Sequence, residues 1–361
     1  MIDKNFWKDK NVIVTGHTGF KGSWLCLWLK ELGANVVGYS KEPPTIPNHY
    51  ALLQMDITSI VGDTRDKDKL ISVFKEHKPE IIFHLAAQPI VRYSYNNPVE
   101  TLETNIMGTI NIFEACRFTG DVRAIVNITS DKCYENKGWV CGYRETDELG
   151  GHDPYSVSKA CAELITNSYR VSYFNLDEYG KSHKVLLAST RAGNVIGGGD
   201  WAVDRLIPDI MKSANKNETV IIRSPRSTRP WQHVLEPLSG YMMLAQRLFE
   251  GKKEFAGAWN FGPYDEGSID VESVVEKVAL EWNKVKYEAS KNAAEFHETS
   301  LLKLDCSKAY TRLGWKPVWG IKKAISMTVG WYKEFYEHKS VSSKDNIKSY
   351  MRDMEPIYDC R

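Results

Sequence analysis

Tyr155 and Lys159 stand four residues apart in Tyr155-Ser-Val-Ser-Lys159, the spacing that puts two side chains on one face of a helix. A phenol with pKa near 10 is a poor base at neutral pH. A lysine ammonium about 4 Å away, at an effective dielectric of about 20, favours the phenolate by roughly 4 kcal/mol, or about three pKa units before burial pushes back. Such a pair can take a hydroxyl proton while hydride leaves the same carbon for an oxidised nicotinamide. Alone, the spacing reads more plainly as an exposed i,i+4 pair. It gains weight because the strand-like run of residues 123–129 ends upstream in Ser130-Asp131-Lys132, and because a glycine turn opens the chain.

That turn is Gly16-His17-Thr18-Gly19-Phe20-Lys21-Gly22. It follows the apolar run Asn11-Val-Ile-Val-Thr15 and opens a helix expected over residues 22–32, stopped at Gly33. Glycines at this spacing let the backbone approach a pyrophosphate, and the helix offers unpaired N–H groups and a positive dipole end. A purely structural tight turn is the alternative. The cofactor ribose is read about 20 residues further on. There the second apolar run, residues 34–39, leads into Ser40-Lys41-Glu42 with no Asp at the strand end. Ser40 and Lys41 also suit a 2′-phosphate, so these residues leave NAD against NADP open. Asp63 and Thr64 follow a third short run, and Asp63 reads equally well as a solvated loop carboxylate.

The elements needed to position these residues alternate. Strands are expected at 11–15, 34–39, 80–85, 123–129 and 184–190, with helices at 66–77, 101–116 and 155–173 between them. This predicts parallel βαβ units and a Rossmann-type doubly wound α/β sheet. From about Gly197 the rhythm breaks and Pro, Trp and Arg become frequent, with isolated helices at 206–214 and 271–282. The expected organisation is a dinucleotide-binding domain of residues 1–195 plus about 232–262. A smaller mixed α/β substrate lobe takes about 196–231 plus 263–340, and 341–361 forms a loosely held polar tail. Residues 194–201, Asn194 to Trp201, follow the last parallel strand. Loops beyond the carboxyl ends of such strands face the ligand. Arg205, Arg223 and Arg229 suit a diphosphate, and Trp201 or Trp231 can flank a substrate. Surface ion pairing is the plainer account of the arginines.

Composition bounds the function classes. The 361 residues are 42% hydrophobic and 26% charged with a net charge of +1, which argues against disorder and gives no nucleic-acid or membrane footprint. Seven cysteines without zinc spacing read as reduced thiols of a cytoplasmic protein. The charged start is unlike a signal peptide, and no run spans a bilayer. His17, His84 and His233 have no metal spacing, so no metal is expected.

In order along the chain, the glycine turn, Leu85-Ala86-Ala87 after a strand, Ser130, and Tyr155/Lys159 resemble the extended short-chain dehydrogenase/reductase superfamily. Within it, Ser130-Asp131-Lys132-Cys133-Tyr134 resembles the nucleotide-sugar 4,6-dehydratases, which usually carry Thr-Asp-Glu there. The Lys132 variant, with Gln88-Pro89 and Thr228-Arg-Pro-Trp-Gln-His233, is similar to the CDP-glucose 4,6-dehydratase family over residues 5–335.

The resemblance implies NAD as a bound cofactor. Gly16, Thr18, Gly19, Phe20, Lys21, Gly22, Ser40, Asp63, Thr64, Leu85, Ala86, Ala87, Asn105, Tyr155 and Lys159 would contact it. Catalysis would use Tyr155 and Lys159, with Ser130 on the reacting hydroxyl and Asp131 as acid to the 6-hydroxyl. Lys132 would act at C5, as a base of depressed pKa or as an electrostatic stabiliser. Gln88, Asn194, Arg205, Arg223, Arg229 and Trp231 would bind CDP-glucose. C4 oxidation, loss of water across C5–C6 and return of hydride to C6 would give CDP-4-dehydro-6-deoxy-D-glucose, a precursor for dideoxysugars of O-antigen. A homodimer through the 101–116 and 155–173 helices, with a tetramer also open, is the implied assembly. The competing readings are another nucleotide-sugar epimerase or reductase, and a non-catalytic dinucleotide-sensing protein.

Overall fold

The computed structural model describes residues 2–290 and 302–358. Seven parallel strands form the central sheet. Six are labelled here: β1 (Asn11–Thr15), β2 (Asn35–Ser40), β3 (Thr58–Val61), β4 (Ile81–His84), β5 (Ala124–Ile128) and β6 (Leu186–Ala192). The seventh, Ala258–Phe261, pairs with β6 and closes the edge, so the order is Ala258–Phe261, β6, β5, β4, β1, β2, β3. Every residue of β4, β5 and β6 is buried, as their apolar runs require of strands covered on both faces. The order reverses between β1 and β4, and this switch point opens a crevice at the carboxyl ends of the strands.

Two apolar layers flank the sheet. One is built on Trp24, Trp28, Trp259, Trp315 and Trp331, the other on Phe74, Phe113 and Leu187. The expected 101–116 helix is broken into three pieces: Pro98–Leu102, a wider turn at Glu103–Met107, and Gly108–Thr119. The Tyr-Lys helix is Pro154–Ser172, with Pro154 at its first position and Asp153 capping it through a 2.9 Å bond from Ser156 N.

Beyond β6 the chain makes small pairings. Val195–Ile196 pairs with Gln232–His233, Thr228–Pro230 with Ser268–Asp270, and Thr219–Ile222 with Lys286–Ala289. The segment expected to trail as a loose polar tail is instead a helix, Ser343–Tyr358, with Ile347, Tyr350 and Met354 buried. Its charged residues hid an apolar stripe at positions 347, 350 and 354, helical spacing that packs on one side. Ser343 Oγ accepts from Trp331 Nε1 at 2.8 Å and shares a 2.7 Å hydrogen bond with His49 Nε2. His49 Nδ1 in turn shares a 2.8 Å bond with Ser23, on the helix Phe20–Glu31 that follows the glycine turn. Glu236 in the Leu235–Phe249 helix accepts from Tyr350 at 2.7 Å, from Val318 N at 2.9 Å and from Trp319 N at 2.6 Å.

Candidate active site

The glycine turn closes tightly because nothing larger fits. Gly16 has φ +73°, and a Cβ there would lie 2.8 Å from Ala86 N. A Cβ on Gly22 would lie 2.1 Å from Gly16 O, so the helix packs directly on the turn. Gly19 caps that helix without a side-chain bond, leaving its first N–H groups turned to the crevice. These features fit a pyrophosphate.

A cleft of about 1390 Å³ runs from this turn across the switch point. Gly16, Thr18, Gly19, Phe20, Lys21, Gly22, Ser40, Asp63, Thr64, Leu85, Ala86 and Ala87 line one half. Thr18 and Ser40 share a 2.9 Å hydroxyl bond at the end of β2. Asp63 pairs with Lys41 at 3.2 Å and Arg65 at 2.7 Å. Burial pushes the Asp63 carboxyl up, but its bonds to Arg65 and Lys41 win and hold it well below the usual range.

Asn105, expected among the cofactor residues, does not line the cleft. It is buried in the widened helical turn, where its amide donates to Gln88 O at 3.1 Å and Ser158 Oγ at 2.8 Å and accepts from Gln88 N at 2.8 Å. Its position therefore fixes the 85–88 loop against the Tyr-Lys helix. Gln88 does line the cleft, though its amide is engaged by Thr101 at 2.8 Å and by the backbone of Ile90.

Ser130, Asp131, Lys132, Tyr155 and Lys159 meet at the carboxyl end of β5, in the middle of the same cleft. Ser130 Oγ donates to Asp131 Oδ1 at 2.9 Å and lies beside the Tyr155 phenol, whose pKa it lowers. Burial raises the Asp131 carboxyl, against the pull of Lys132, Ser130, Lys21 and Arg229. A raised carboxyl is what a proton donor requires.

The expectation set the Lys159 attraction against burial, and burial prevails here. Burial pushes Tyr155 up to about 12, with Ser130 as the largest opposing influence. Lys159 donates to Ile128 O at 3.4 Å and is itself drawn down to about 8 by burial. Spacing predicted the shared face but carried no measure of desolvation, and here desolvation outweighs the attraction. Lys21, also drawn down to about 8 by burial, adds a third amine to this centre.

In the other half, Asn194, Arg205, Arg223, Arg229 and Trp231 line the cleft. Arg223 pairs with Asp204 at 2.9 Å and Arg205 with Asp200 at 3.6 Å, while Arg92 reaches Asp204 at 3.7 Å from the opposite wall. Asp204 was not singled out by sequence, and only its neighbour Arg205 marked the loop. Trp231 Nε1 is fixed on Ile269 O at 3.1 Å. Trp201 turns away from the cleft, bonded to Tyr336 at 3.0 Å and packed on Trp331. His84 is held by Thr15 and Thr109 and kept neutral by burial, at about 3. Among the described residues no cluster of three or more His, Cys, Asp or Glu is placed to hold a metal.

The sequence profile described as GDP-mannose 4,6 dehydratase matches residues 13–328. The chain belongs to the GDP-mannose 4,6 dehydratase family. Within that family it is 52% identical over 355 residues to the CDP-glucose 4,6-dehydratase of Salmonella typhimurium, covering 97% of this chain and 99% of the relative. Solved structures share the fold at low identity. An epimerase, Mth375 of Methanothermobacter thermautotrophicus, superposes with a TM-score of 0.79 at 24% identity, covering 93% and 96% of the two chains. A dTDP-glucose 4,6-dehydratase of Bacillus anthracis, solved in complex with NAD, gives 0.74 at 20% identity, covering 91% and 98%. The candidate site of this family member is the cleft at the sheet's switch point, between the glycine turn and the arginine-bearing loops.

Proposed function

We propose that the chain is an NAD-dependent CDP-glucose 4,6-dehydratase that converts CDP-D-glucose into CDP-4-dehydro-6-deoxy-D-glucose and water. The buried Asp131, raised by its surroundings and bonded to Ser130 beside Tyr155, carries this reading. A 4-epimerase has no leaving hydroxyl to protonate and so no use for that acid. The relative at 52% identity supports the cytidine nucleotide.

When bound, the dinucleotide supplies a hydride acceptor and donor. Gly16 and the helix start at Phe20 hold its pyrophosphate, and Ser40, Asp63 and Thr64 border its adenosine half. Tyr155 takes the 4-hydroxyl proton through Ser130, assisted by the Lys159 charge. The resulting 4-ketone acidifies the C5 proton. Asp131 delivers a proton to the departing 6-hydroxyl, and Lys132 takes the C5 proton or steadies the enolate. Asn194 and Trp231 border the sugar nucleotide, and Arg229 holds the diphosphate together with Arg205 and Arg223 once it displaces Asp200 and Asp204 from these two. Asn105 supports the 85–88 loop from behind.

Residues 1–195 with 232–262 would form the dinucleotide-binding part, and 196–231 with 263–340 the substrate lobe. Exposed Phe118, Leu164 and Val171 on the Gly108–Thr119 and Pro154–Ser172 helices support a homodimer through a four-helix bundle. No described helix is long and apolar enough to cross a membrane. Free cysteines among the described residues support a cytoplasmic setting. Dideoxysugar supply for O-antigen is the pathway this product fits.

The test offers CDP-, dTDP-, UDP- and GDP-glucose to the purified protein, following the alkaline absorbance of a 4-keto sugar and loss of water by mass. Turnover is expected with CDP-glucose. A product of unchanged mass, or none, overturns the proposal.

A further inference from the structure

Beneath the turn Asp131–Cys133 lies a buried ion pair that the chemistry above leaves unused. Arg191 on β6 donates to Glu163 Oε2 at 2.8 Å, and the two side chains are only 3% and 2% exposed. Glu163 sits one helical turn beyond Lys159 and two beyond Tyr155, so all three share one face of the Pro154–Ser172 helix.

The two ends of the turn are tied to opposite members of this pair. Thr129, just before it, donates its hydroxyl to Glu163 Oε1, and Ser189 of β6 donates to Oε2 at 2.7 Å. Tyr134, just after it, accepts from Arg191 Nη1 at 2.6 Å and lies under the guanidinium at 4.7 Å. The Tyr134 hydroxyl then donates to Asn260 on the edge strand at 2.8 Å.

We propose that Glu163 and Arg191 are positioning residues for the dehydration. They clamp the turn that carries Asp131 and Lys132 at both ends against the helix that carries Tyr155 and Lys159. Glu163 also supplies the negative charge that faces Lys159. The inference rests on the dehydratase reading and goes beyond it, because neither residue lines the cleft.

The electrostatics agree. Burial lowers Lys159, and Glu163 is the largest influence in the opposite direction, followed by Cys133 from the turn. The other titratable groups that feel Lys159 are His84 at the end of β4, held neutral by burial, and Lys21 on the glycine turn. Burial pushes Glu163 up, but Arg191, Thr129 and Ser189 hold it below its usual value, so the carboxylate is present.

Glu163→Gln alone strands Arg191 in the interior and can cost the fold. The informative variant is therefore Glu163→Gln/Arg191→Met, which removes both charges, with Glu163→Asp as the conservative partner. With CDP-glucose, the double variant is expected to keep its KM, while the alkaline limb of kcat set by Lys159 moves down by about one pH unit. That is about a tenfold loss on the alkaline side. Glu163→Asp should restore the limb while kcat stays reduced, because the charge returns but the clamp is shorter. The same downward shift should appear in the NMR titration of Lys159 in lysine-labelled protein, with no turnover needed. A folded double variant with wild-type limb, kcat and Lys159 titration overturns the inference. A wild-type protein that leaves CDP-glucose untouched sinks the functional reading instead, while the Lys159 titration still decides this one.

Discussion

Asp131 and Tyr155 are both buried, and burial moves both acidities upward, yet the two are asked for opposite services. For Asp131 the shift prepares a donor. For Tyr155 it opposes the base, so proton removal leans on Ser130 and on the charge of Lys159. Tyr155→Phe is expected to lower CDP-glucose turnover by about a hundred- to ten-thousand-fold while dinucleotide binding persists, measured by steady-state kinetics and by fluorescence titration. Asp131→Asn should still permit oxidation at C4 but stop loss of water, so that deuterium from solvent enters C5 without dehydrated product. Lys132→Met should lose that exchange. Full wild-type exchange would rule out both a basic and a stabilising role for Lys132. The Tyr155–Lys159 relation was legible because both residues lie on one helix, where spacing alone fixes the face. Glu163 lies on that same face, but its importance depends on Arg191, Thr129 and Ser189, which reach it from strands that spacing does not relate to the helix. For Arg223 the sequence offered a diphosphate contact or an ion pair, and the ion-pair partner was not legible for the same reason. Its partner Asp204 comes from a loop whose course is set by the folded lobe.

The Pro154–Ser172 helix works as a rigid ruler. Its start is fixed by Asp153, buried, accepting from both the backbone N and the hydroxyl of Ser156. Asp153→Ala should cost about 1 kcal/mol and lower the melting temperature by roughly 1–2 °C, read by calorimetry. A loss of activity much larger than the loss of stability would mean that the cap also places Tyr155. The neighbouring helical segment shows where reading by period falls short. Residues 101–116 carry a continuous helical pattern, but the structure widens one turn at Glu103–Met107. The extra residue there lets Asn105 reach Gln88 and Ser158 together, a demand of tertiary contact that local propensity does not contain. The sheet was far more legible, because strands buried on both faces announce themselves as short apolar runs between helices.

At the scale of the whole molecule, the docking of the last helix is tied to a titration. Burial pushes Glu236 up to about 7 although Tyr350, Val318 and Trp319 all donate to it. A raised pKa in the fold means the folded protein holds the proton more tightly than the unfolded chain. The contribution is therefore complete below the ordinary value of 4.5 and is lost as pH rises through about 7. It amounts to on the order of 3 kcal/mol across that window. Buried neutral histidines change stability over the same window, so the reading is a difference: Glu236→Gln should raise the urea midpoint relative to the wild type more at about pH 8 than at about pH 5. Assembly belongs to this scale too. Leu164, 58% exposed, lies on the face proposed to meet a second copy. Leu164→Arg should shift the protein to monomer in analytical ultracentrifugation, and an unchanged mass would move the contact elsewhere.

His49 and Ser343 touch across 294 residues of sequence. Through that bond the helix of the phosphate-binding turn is buttressed by a helix remote from it in sequence. β1 and β4 can pair without that helix, but the wall behind the cofactor turn is complete only once it has docked. Removal of the helix that starts at Ser343 would therefore be felt first as weakened cofactor retention, far along the sequence from the lesion.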